Sequence, residues 1–181
     1  MRLRFTFLLP LAQLLLALFL LRLGAHLSTG IQRRYDTLYV STPQLVCAGI
    51  NAPARLLEGM SHFFYRVDHA PPTIFGFGLD FVSFLIGIVA LWLLVGWAVD
   101  KRRSSSELRP VWSAAKLFFV GVPLALLGAL FLYSSVQGFM TPWRFNNQTG
   151  NILLGVLLLL WSLVLLGIPA IHIFRRLSVS S

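Results

Sequence analysis

Four long apolar runs set the limits on what this chain can fold into. They cover approximately Phe5–Leu27, Phe75–Val99, Val111–Val136 and Ile152–Phe174. Each is about as long as the roughly 20 residues that a helix needs to cross a hydrocarbon core. Backbone groups cannot go unpaired in lipid, so runs of this length are read as helices. The expected fold is an all-α integral membrane protein, with four transmembrane helices in a bundle. It would form a single membrane domain over residues 1–181.

Hydrophobic residues make up 57% of the 181, well above the roughly 45–50% of soluble domains, so an ordinary soluble fold is excluded. The formal net charge is +9. The cations sit in loops and ends, where they orient membrane spans and do not form a nucleic-acid surface. The expected partner is therefore the lipid bilayer, with a membrane protein partner or a homo-oligomer as further candidates, and no nucleic acid. Cys47 is the only cysteine, so an internal disulfide is impossible and a CxxC redox pair is absent. That removes thiol oxidoreductases built on such a pair.

Orientation follows the Lys/Arg bias of short loops. With the N-terminus inside, Arg2, Arg4, Lys101, Arg102, Arg103, Arg109, Lys116, Arg175 and Arg176 lie inside. Arg33, Arg34, Arg55, Arg66 and Arg144 lie outside. The excess places both termini in the cytoplasm, and the compact, loop-poor design fits a bacterial inner membrane. Phe5–Leu27 could also be a signal peptide behind Arg2 and Arg4. Its apolar stretch is longer than the usual 7–15 residues and Leu23-Gly24-Ala25 is a poor cleavage site, so a retained anchor is expected.

The first outer loop, residues 28–74, carries structure of its own. Ser41-Thr42-Pro43 has the chemistry of a helix start, and a short apolar stretch runs from Leu45 to Ile50. After Asn51-Ala52-Pro53, Leu56, Leu57, Met60, Phe63, Phe64 and Val67 recur at helical spacing. This predicts an amphipathic helix over about 52–67, lying on the bilayer or covering the bundle as a lid. Small residues at Ser83, Gly87 and Ala90, and at Gly121, Ala125 and Ala129, predict close helix contacts, and Pro123 predicts a kink. Asn147-Gln148-Thr149 matches a glycosylation acceptor, a common pattern.

Ionisable groups inside a membrane are costly and point to function or to a partner. Arg22 and Asp80 fall at similar distances from the ends of consecutive runs, so they are expected to pair, either as a structural ion pair or on a transport path. Gln13, near mid-membrane in the first run, would join them. His26, His62 and His69 with Glu58 form a weaker constellation, because imidazole and carboxylate can hold zinc. No HExxH signature supports it, and Glu58 and His62 also suit an ordinary helix-face pair. No cofactor is expected, and no phosphate loop, GxSxG or acidic metal box occurs. The leading expectation is a non-catalytic accessory, assembly or scaffold subunit. The alternative is a small oligomeric transporter or channel using Arg22 and Asp80. A metal-dependent membrane enzyme at the outer interface comes third.

Overall fold

The apolar runs fold as helices whose ends are set by local chemistry and not by the edges of the runs. The computed structural model describes residues 4–35, 40–61, 73–74, 77–104, 112–140 and 147–180. Helix α1 (Phe5–Tyr35) extends past the first run. Two short helices follow, α2 (Thr42–Ile50) and α3 (Arg55–Ser61), separated by a 3-10 turn at Ala52–Ala54. A two-residue antiparallel pairing of β1 (Thr73–Ile74) with β2 (Phe77–Gly78) precedes α4 (Leu79–Ser104). The second helix therefore begins four residues later than the second apolar run. Gly78, at the edge of the helix, accounts for this, since glycine costs a helix about 1 kcal/mol relative to alanine. At its other end α4 runs on through Lys101, Arg102 and Arg103, cations that complement a helix C-terminus.

The third run is built in three pieces: α5 (Ala114–Lys116), a π turn (Leu117–Gly121) and α6 (Val122–Met140). Ser113 caps the start, its side chain accepting the Lys116 N–H at 3.2 Å. Pro123 explains the π turn. A proline lacks the amide donor and crowds the carbonyl four residues back, and a local i→i−5 bond, Val122 N–H to Leu117, absorbs the mismatch. Helix α7 (Gln148–Ser180) completes the chain. Phe5–Ser28, Leu79–Arg103, Ala114–Met140 and Gln148–Ser178 are each long and apolar enough to cross a membrane. The chain is an all-α integral membrane protein.

Its residues separate into two compact units. The first comprises Met1–Leu23 and Asn51–Ser106, the second Gly24–Ile50 and Glu107–Ser181.

In the first unit the start of α1 is bound to the far end of α4. The Asp100 carboxylate accepts the Phe5 N–H at 3.0 Å, the Thr6 N–H at 2.8 Å and the Thr6 hydroxyl at 2.7 Å. A helix N-terminus exposes amides with no internal partner and a partial positive charge, so a carboxylate supplied by another helix satisfies both. Gly96, one turn before Asp100, allows the approach. A Cβ there would lie 2.7 Å from the Phe5 carbonyl carbon and 2.8 Å from Thr6 Cα. The Arg103 guanidinium sits 4.3 Å above the Phe5 ring and Lys101 Nζ 4.9 Å above Trp97.

In the second unit α6 and α7 pack along small residues spaced by seven. Gly121 at the end of the π turn and Gly128 and Ser135 on α6 are buried, as are Gly155, Ser162 and Pro169 on α7. Gly128 faces Leu165 and Leu166, Gly121 faces Pro169, and the Ser135 hydroxyl donates to the Gly155 carbonyl at 2.7 Å. Seven-residue spacing keeps one seam in register along two helices, whereas four-residue spacing drifts off it. Hence Ala125 is only half-buried and Ala129 is exposed, although both belong to the stripe read from the sequence.

Candidate functional site

Polar side chains buried among apolar ones are the places where a membrane chain can bind or act. At the start of α2 the Gln44 Oε1 reaches back to accept the Ser41 N–H at 3.0 Å, and the Ser41 hydroxyl donates to the same oxygen at 2.9 Å. The same Oε1 is 3.0 Å from the Ser28 hydroxyl on α1, where Gly24 leaves room for the Gln44 side chain.

Within the second unit, α2 then runs alongside α7. Leu45 lies against Gly150, and Gly49 against Leu154 and Leu157, where a Cβ would come within 2.7 Å of Leu157. The helix stops at Ile50, whose carbonyl accepts the Trp161 indole N–H at 3.0 Å. Trp161 lies roughly 20 Å along α7 from Gln148, at about 1.5 Å per residue. Leucines flank it on both sides, so α2 ends beside the apolar middle of α7.

Within the first unit, the chain resumes at Asn51. Its side-chain carbonyl accepts the Trp92 indole N–H at 2.8 Å, and its backbone carbonyl accepts the Ala54 N–H at 2.9 Å. Trp92 is also roughly 20 Å from the start of its helix, at Leu79. From there the chain turns back along α4: Ala54 packs on Gly87, and the Arg55 guanidinium is 5.9 Å from the Phe84 ring centre. Neither α2, in the second unit, nor α3, in the first, is long enough to cross a membrane. In the first unit Asn51, Ala52 and Ala54 are buried, and Pro53 removes one amide that would lack a partner.

The amphipathic helix read from the sequence over about 52–67 is present over part of that range: residues 52–54 form a 3-10 turn, α3 covers Arg55–Ser61, and 62–67 lie outside the described residues.

Asn147 anchors the start of α2 in the second unit. Its Oδ1 accepts the Gly150 N–H at 2.9 Å, capping α7, while its Nδ2 donates to the Val40 carbonyl at 2.9 Å and reaches Thr42 Oγ1 at 3.0 Å. The amide is buried and engaged at both ends, so it is not presented as a glycosylation acceptor. Asn147→Ala should lower stability by on the order of 2 kcal/mol, from a lost cap and a lost buried bond. Thermal melting in detergent would read it, with Asn147→Asp recovering only the cap.

The other residues singled out by sequence are placed as follows. Arg22 is exposed on α1, and Asp80 is half-buried in the first turn of α4; no ion pair joins them. The expected pairing rested on matched depth, and the helix ends remove that match. Asp80 is second in its helix, where amides and dipole already favour a carboxylate, whereas α1 continues well past Arg22. Gln13 is half-buried, with its Oε1 buried and accepting no hydrogen bond. His26 is exposed on α1. Glu58 is held by Arg55, at 2.8 and 3.1 Å. His62 and His69 lie outside the described residues. Among the described residues no three His, Cys, Asp or Glu side chains converge as a metal site.

No family model, curated protein or solved structure matches the chain. The residues that sequence reasoning missed are Asn51, Trp92, Trp161, Asn147 and Asp100. Their polar atoms serve backbone and side chains far away in sequence, which no local spacing reveals.

Proposed function

We propose that this protein is a non-catalytic membrane subunit that assists, assembles or scaffolds a partner membrane protein. The observation that supports this reading is how polar atoms are used within each unit: Trp161 reaches the Ile50 carbonyl in the second and Trp92 the buried Asn51 side chain in the first, so these atoms stabilise packing. A rigid interior surrounded by long exposed apolar faces, such as Leu8, Leu11, Leu15 and Phe19 on α1, suits lateral association in a bilayer. We further propose a bacterial inner membrane with both termini cytoplasmic, on the Lys/Arg bias of the loops.

Tagged full-length protein, purified in mild detergent and analysed by mass spectrometry and native mass, tests this. A stoichiometric foreign membrane protein is the expected result. Protein that carries no partner and moves a substrate across liposomes would overturn the reading. That second outcome has one observation in its favour, the unbonded Gln13 Oε1 on the first span. A transport role would then require flux to fall in Gln13→Leu and in Asp80→Asn.

A further inference from the structure

We infer that the Asp100 end of the first unit binds the headgroup of an anionic glycerophospholipid. Four cations, Arg4, Lys101, Arg102 and Arg103, are exposed there. They come from two segments remote in sequence, and the Asp100 bonds to Phe5 and Thr6 hold those segments together. The one acidic group among them therefore points its oxygens at the first turn of α1, though Arg103 remains within its Coulombic reach. Two rings lie beneath the cations, Phe5 under Arg103 and Trp97 under Lys101, and Trp97 is 53% exposed.

The layering decides the ligand. Below these rings lie the apolar lengths of α1 and α4, which acyl chains would cover. The rings mark the level of the interface, where tryptophan is favoured. The cations project at the level of the phosphates, where their positive charge attracts an anionic headgroup. Anionic lipid attracts such clusters next to a span, by about 1 kcal/mol per cation, which corresponds to about fivefold in affinity for each charge. The C-terminal pair Arg175 and Arg176 lies on α7 alone, in the second unit, and has no described ring contact of this kind.

Native mass spectrometry of the full-length protein, titrated in detergent with dioleoyl phosphatidylglycerol or dioleoyl phosphatidylcholine, tests the assignment. We expect phosphatidylglycerol to be retained and phosphatidylcholine not. Arg102→Gln should weaken phosphatidylglycerol about fivefold, and Lys101→Gln/Arg102→Gln/Arg103→Gln on the order of 100-fold. Arg102→Lys/Arg103→Lys should keep it, and Arg175→Gln/Arg176→Gln should leave it unchanged. Equal binding of the two lipids would overturn the inference. So would a loss in the Arg175/Arg176 variant as large as in the triple variant, or an Arg102→Gln protein that binds like the parent.

Discussion

Trp161→Phe is expected to lower the stability of the protein by about 1 kcal/mol or more, the cost of leaving a partly buried carbonyl without its donor. The substitution keeps a ring in the same place and removes the indole N–H that reaches the Ile50 carbonyl at 3.0 Å. In an aqueous loop that carbonyl would find water. Beside the leucines of α7 it has no such recourse, which is why the loss should exceed that of an ordinary surface bond. Denaturation of the purified protein in detergent would measure it. Trp161→Leu should cost more, since ring packing is then lost as well. If Trp161→Phe melts with the parent, the end of α2 is not held to α7 by this bond. Trp92→Phe makes the parallel case in the first unit, where the acceptor is the Asn51 side chain.

Gly96→Leu should be the most damaging single change on α4, costing about 3 kcal/mol. The atoms in the way are the Phe5 carbonyl group and Thr6 Cα. Backbone cannot rotate aside as a flexible side chain can, so the start of α1 must lift from α4. With it go the three Asp100 hydrogen bonds. Hydrogen exchange gives a reading that mere destabilisation would not: the Phe5 and Thr6 amides should exchange faster while α6 and α7 stay protected. Asp100→Ala should expose the same amides without any clash. Gly167→Ala supplies the contrast. Nothing lies within 4 Å of a Cβ at Gly167, so stability should hold or rise slightly with the better helix former. Equal effects at positions 96 and 167 would sink the argument from close approach.

What the sequence revealed of the fold, and what it hid, can be traced to particular residues. The spanning helices announce themselves because each needs only its own length and apolarity to be stable in lipid. Pro123 announced a local irregularity in the same way, since its missing donor acts on its own turn, and the π turn is the form it takes. Arg22 and Asp80 show where this kind of reading stops. Their expected pairing depended on helix ends, and α4 begins only at Leu79, after Gly78, while α1 overruns its run at the other end. Gly121, Ala125 and Ala129 show a second limit. Four-residue spacing is a property of one helix, but which small residues are buried depends on the partner, and α7 selects the seven-residue seam.

By itself, the sequence determined the class of this protein: a membrane chain with spans enough to cross four times, no redox pair and a basic bias that orients it. Those properties follow from the cost of placing polar backbone and charge in hydrocarbon, a cost paid locally wherever the residues occur. Only the tertiary structure decided what the two halves of Leu45–Ala54 pack on: in the second unit Gly49 lies against α7 and Trp161 reaches the Ile50 carbonyl, and in the first Ala54 packs on Gly87 and Trp92 reaches Asn51. It also decided that Asp100, which reads as one member of a charged cluster, closes the N-terminus of α1. A carboxylate can satisfy amides on its own helix or on another, and only the approach permitted by Gly96 brings the second set within 3 Å.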